Sequence, residues 1–187
     1  MSHPEGEWVR TWSVLQRVLH WGLVGGIVGA WCIGEERQSL HDAAGYVALA
    51  AVSVRVLLGI VGGGNARFAS FVRAPSAVLR YAGELLRGRE HRYLGHNPLG
   101  GWMVLALLAC TLVACISGWL YTLDAFWGMA WLDLLHRGAA WAVLGLACIH
   151  VTAVVWMSWR HRENLAASMV TGRKRSSVAR RERAMRP

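Results

Sequence analysis

The sequence predicts an all-α integral membrane protein, a four-helix transmembrane bundle, and three observations lead there. Of 187 residues, 55% are hydrophobic and only 17% charged, where ordinary soluble domains carry about 25% charge. The apolar residues gather into four runs, at 14–34, 41–61, 98–121 and 134–156. Each is long enough as a helix to cross a hydrocarbon core about 30 Å thick. Tryptophans stand at or near the ends of these runs, among them Trp12, Trp21, Trp102, Trp119, Trp127, Trp131, Trp156 and Trp159, as an interfacial belt requires. So much apolar surface excludes disorder. A net charge of +9 set among long uncharged runs excludes a nucleic-acid-binding domain.

Backbone groups in lipid have no water to bond, so each run closes its own hydrogen bonds as a helix. The first run carries Arg17 and His20 near its start. A secretory signal peptide is shorter and ends in a small-residue cleavage site, so this run reads as an uncleaved span. The second run holds His41, Asp42 and Arg55 and closes on Gly62-Gly63-Gly64-Asn65. Between it and the third run, Pro75-Ser76 opens an amphipathic stretch, Ala77 to Leu86, suited to the membrane surface. Asn97 and Pro98 cap the third run, which has neither charge nor histidine. The fourth carries His136, Arg137 and His150. The chain divides into a four-span domain, 1–157, and a basic tail, 158–187, expected to be mostly disordered beyond Gly172.

Seventeen of the 20 basic residues precede or open the first span, lie between spans two and three, or fall in the tail. Basic residues stay on the cytoplasmic side, so both termini are placed in the cytoplasm. The opposite loops hold Glu35, Glu36, Asp124 and Asp133 against Arg37, a balance that favours a basic patch on a periplasmic partner. Cys32, Cys110, Cys115 and Cys148 lie inside apolar runs and read as small buried hydrophobes.

Four of the eight histidines lie in or at the spans, where ionisable groups are costly and mark function. Antiparallel helices bring them to two depths, His20 with His150 and His41 with His136. The 14 residues from His136 to His150 span about 21 Å of helix and return to nearly the same face. Each layer offers two imidazoles and no third ligand. Zinc wants four protein donors, whereas haem brings four nitrogens of its own and needs two axial ligands. No Cys-x-x-Cys-His is present, so covalent attachment is excluded. The four histidines therefore read as axial ligands of two b haems, with room left by Gly45, Ala140 and Ala147. Gly22, Gly25, Gly26 and Gly29 serve either the same purpose or close helix packing. Arg17, one turn before His20, and Arg55, at its depth, are candidates for haem propionates or a quinone head group; snorkelling to the surface is the plainer reading of Arg55.

The chain resembles the bacterial cytochrome b561 family, which includes the b-type cytochrome subunits of nickel–iron hydrogenases. The stretches that carry the resemblance are Arg17-Val-Leu-His20-Trp21, His41-Asp-Ala-Ala-Gly45-Tyr46 with Arg55, and Arg67-Phe-Ala-Ser-Phe71-Val. Further on they are Gly95-His96-Asn97-Pro98-Leu99-Gly100, Leu135-His136, His150 and Met169-Val-Thr-Gly172-Arg-Lys-Arg175. The resemblance implies a bundle holding two b haems on ligands from helices one, two and four. It implies an electron-transfer subunit of oxidoreductase type, linking a periplasmic c-type cytochrome or hydrogenase-like enzyme to the quinone pool. The competing reading is a histidine-based metal-ion or proton transporter, which calls for carboxylates within the spans. His96 reads as an interfacial histidine, with a quinone-site or proton role as the alternative.

Overall fold

The computed structural model describes residues 8–175. The first long helix, α1 (Val14–Ile33), starts at a capping box: Ser13 accepts from the Gln16 amide, and the Gln16 side chain accepts from the Ser13 amide. It ends at Gly34, whose φ of 61° suits a residue without Cβ. A 3₁₀ turn at Glu35–Arg37 leads into α2 (Gln38–Val61). A second such turn, Gly64–Ala66, precedes the single-turn α3 (Phe68–Phe71) and the amphipathic α4 (Pro75–Leu86). Next comes α5 (Pro98–Tyr121), where the Asn97 side chain accepts from the Gly100 amide at 2.7 Å and Pro98 supplies the first turn. After a short turn at Asp124–Phe126, α6 (Ala130–His161) runs for 32 residues.

Three helices, α2, α5 and α6, are long and apolar enough to cross a membrane. The expected fourth span, α1, has 20 residues, about 30 Å of helix, but Gln16, Arg17 and His20 dilute the hydropathy of its first turns. α1 packs along α2, α2 against α5, and α5 along α6, while α1 and α6 share no comparable packed seam. The glycines of α1 divide between two roles. A Cβ at Gly26 would stand 2.9 Å from the Ala48 amide nitrogen, so this glycine lets α1 and α2 meet. Gly25 faces open space, as does Gly45 on α2. Across the open side the rings of Trp31 and Trp141 meet edge to face, with centroids 4.9 Å apart. Leu134, Trp141, Val155 and Ile60 point outward and are more than 60% exposed, an arrangement that suits lipid and not water.

The tail differs from the expectation. The boundary at 157/158 falls inside α6, which continues to His161 and ends at Arg162 in the left-handed region. The chain then turns back. Asn164 caps α7 (Leu165–Thr171), Gly172 adopts a φ of 77°, and β2 (Arg173–Arg175) pairs antiparallel with β1 (Trp8–Arg10). The amides of Thr11 and Trp12 donate to the Gly172 carbonyl at 2.9 and 3.1 Å. A short local strand signal amid arginines is weak, and only a partner far along the chain gives these residues a ladder. Order thus extends past Gly172 to Arg175; residues 176–187, also expected to be disordered, lie outside those described.

Candidate functional site

The His41 and His136 rings, one from α2 and one from α6, face each other with centroids 6.1 Å apart and planes at 75°. Each is oriented by a neighbouring helix. His41 Nδ1 donates to the Ala30 carbonyl of α1 at 3.1 Å, and His136 Nδ1 donates to the Ala114 carbonyl of α5 at 2.8 Å. A carbonyl only accepts, so in both rings the proton sits on Nδ1 and the Nε2 lone pair is free. Gly118 makes the space: a Cβ there would lie 2.8 Å from Cε1 and 2.9 Å from Nδ1 of His136. All four helices thus contribute to this one layer.

His20 on α1 and His150 on α6 lie within electrostatic range of each other across the open side of the bundle. Both are half-buried. The Trp21 ring stands edge-on to His20 at 5.4 Å, and the Trp21 indole donates to the Met169 carbonyl at 3.2 Å. Among the described residues, neither His20 nor His150 has a hydrogen bond.

Cations and buried donors surround this second layer. Arg17 donates through Nη1 to the Val170 carbonyl, while its buried Nε has no partner. Arg55 is buried and donates to the Ala66 carbonyl at 3.0 Å, with its guanidinium 5.6 Å from the Phe68 ring centroid. Arg55 therefore holds the loop after α2 and does not snorkel to the surface. His96 sits between Trp12 and Phe71, at centroid distances of 4.9 and 4.6 Å, and its Nδ1 is buried without a partner. Burial, then the positive charges of Arg55 and Lys174, push His96 down to about 3, so the ring is neutral at pH 7. Lys174 lies buried over the Trp12 ring, and the Trp12 indole donates to the Ser168 hydroxyl at 3.4 Å.

The donor set fits the haem expected from the sequence. Among the described residues, no three His, Cys, Asp or Glu side chains converge as a metal site, so an ion held by protein donors alone has no cage. Two free Nε2 atoms suffice for a group that brings its own equatorial nitrogens. The His41 and His136 rings, with centroids 6.1 Å apart, stand close enough for both to hold one group bound between them. The orphaned donor Arg17 Nε, with the neighbouring cations, suits the anionic propionates. Gly118 and the two alanine carbonyls are the members that sequence reasoning missed, and Met169 to Gly172 carried the resemblance without a role at the site. A glycine inside an apolar run reads first as a packing residue, and a backbone acceptor carries no signature at all.

The family profile described as prokaryotic cytochrome b561 matches residues 11–172. No curated protein and no solved structure matches the chain. The match begins at the Thr11 amide that closes on Gly172 and ends at Gly172 itself, so it spans all four histidines of the two layers. The chain belongs to the prokaryotic cytochrome b561 family, and with its membrane-spanning helices it is a membrane b-type cytochrome of electron transfer that binds haem b.

Proposed function

We propose that the chain is a dihaem cytochrome that carries electrons across the bacterial inner membrane, between a periplasmic redox protein and the quinone pool. α1 joins α2, α5 and α6 as a fourth span, and both termini face the cytoplasm. His20 and His150 are the axial ligands on the cytoplasmic side, and His41 and His136 those on the periplasmic side. The observation that carries this reading is the pairing of histidines at two levels, with the Nδ1 protons of His41 and His136 committed to carbonyls.

When bound, the haems supply one-electron redox chemistry; the protein supplies position and electrostatics. α6 offers one ligand at each level, separated by about 21 Å of helix. Donation from Nδ1 to a carbonyl raises the basicity of Nε2 and holds each ring in orientation. Arg17 and Arg55 provide positive charge where propionates, or a quinone head group, need it. On the periplasmic side, Arg137 engages Asp133 at 2.9 Å, which leaves Glu36 and Asp124 to meet a basic partner such as a c-type cytochrome or a hydrogenase. The transporter reading has less support: Asp42 is held by Gln38 and Asp133 by Arg137, both at helix ends.

The test is a redox titration of the purified protein, followed in the visible spectrum. Two b-type components, each removed by one pair of single histidine variants, bear the proposal out. A single component, or none, sinks it.

A further inference from the structure

A cavity of about 350 Å³ lies beside α4, lined by Arg73, Arg80, Tyr81, Glu84, His91 and Tyr93. It closes against Pro98, the first residue of α5. One turn further on, the Trp102 indole donates to the Arg73 carbonyl at 2.9 Å. The wall of the cavity is thus tied to the end of a span, at the depth where an interfacial tryptophan sits. On α4, Leu79 and Leu86 project outward, 74% and 88% exposed, with no protein to cover them. A helix with such a face, lying beside the end of a span, rests on the membrane surface.

The lining has a definite chemistry. Arg73 uses one guanidinium nitrogen on the Ser70 carbonyl, at 3.0 Å, and Arg80 is exposed. Tyr81 is buried edge-to-face on Tyr93, with centroids 5.7 Å apart. Burial, then the Glu90 carboxylate, push its phenol up to about 12, so it stays neutral. Two guanidiniums against one carboxylate select an anion, and the guanidinium fork matches phosphate. Glu84 at the same site repels a small multiply charged anion and accepts a hydrogen bond from an alcohol. The volume is at the lower end of the range for ligand sites, about 300–1,000 Å³, and suits a head group better than a whole cofactor.

We infer that this cavity binds the head group of an anionic glycerophospholipid, its phosphodiester on Arg73 and Arg80 and a head-group hydroxyl donating to Glu84. The acyl chains enter the bilayer beside α4. Basic pockets at the cytoplasmic ends of spans hold lipid phosphates in this way. The site shares no residue with the histidine layers, so it stands or falls apart from the electron-transfer reading.

Native mass spectrometry on the full haem-loaded chain tests it, with phosphatidylglycerol and phosphatidylethanolamine offered in turn from mixed micelles. Phosphatidylglycerol should be retained about tenfold better, and the R73Q/R80Q variant should lose that preference while its visible spectrum is unchanged. Arg80→Gln alone, at an exposed position that leaves the Arg73–Ser70 contact intact, should lose part of it and stands in if the double variant fails to fold. Equal retention of the two lipids, or wild-type retention by these variants, overturns the site. Displacement of the lipid by millimolar inorganic phosphate assigns the cavity to a soluble anion and overturns it too.

Discussion

The two histidine layers are built by different means. Around His41 and His136 the helices do everything: α1 and α5 lend carbonyls, α2 and α6 lend rings, and Gly118 opens the space. Around His20 and His150 the helices supply the rings, but the surroundings come from outside them. Arg17 is held by the Val170 carbonyl, Trp21 by that of Met169, and Trp12 by Ser168. One layer is fixed wherever the bundle is packed. The other depends on chain ends and loops, and its environment responds to changes that leave the bundle intact. In the proposed dihaem arrangement, this gives one rigid station and one adjustable station.

The largest expected effect tests whether the layers are separate at all. Each of the four single histidine-to-alanine variants should lose about half of the reduced b-type absorbance. His20→Ala and His150→Ala should lack the same component of a redox titration, and His41→Ala and His136→Ala the other. Loss of one shared component in His20→Ala and His41→Ala would break the two-layer arrangement. Next comes Gly118→Ala. Its Cβ meets the His136 ring, and forcing such contacts costs about 1–3 kcal/mol. The variant should displace or weaken the His41/His136 component and leave the other midpoint unmoved; shifts in both components would mean that the layers are mechanically joined.

Arg17→Gln sharpens the comparison from the other side. Removing a neighbour that orients or neutralises a bound group typically costs about 10–100-fold in affinity. Haem retention on dilution should fall for the His20/His150 component only. The smallest effect concerns the loop before α5. Glu90 is held below the usual carboxylate range by the Arg160 guanidinium. A lowered carboxylate pKa adds stability that is present above the unfolded value, about 4.3, and is lost as pH falls through the folded one. Glu90→Gln should therefore lower the thermal midpoint in detergent at pH 7 slightly, and the difference should shrink as pH falls below about 4. An equal loss across that range would place the effect in packing and not in charge.

Much of this was legible in the sequence. Helix positions follow from run length and from Pro75, Asn97 and Pro98, and the histidine depths follow from the antiparallel order of the spans. The ends of α6 were less legible, because Trp156 to Trp159 mark where lipid stops and not where the helix does. The ring partners were hidden for another reason: every residue owns a carbonyl, so nothing in the letters Ala30 or Ala114 marks an acceptor. Arg55 drew attention as a lone charge in an apolar run, yet its carbonyl partner, Ala66, is set by the turn after α2. The strand pair β1–β2 joins segments too short and too basic to announce themselves, and only the return of the chain after Arg162 brings them together.

That pairing also sets an order of events during synthesis. The Val170 carbonyl that receives Arg17 is made 153 residues after it, when all the long helices have already been synthesised. Until then β1 has no ladder, the Thr11 and Trp12 amides lack the Gly172 carbonyl, and the His20/His150 level stands open toward the loops. The His41/His136 layer needs nothing beyond α6. One level thus closes with α6, while the other also needs the residues that follow it, up to Gly172.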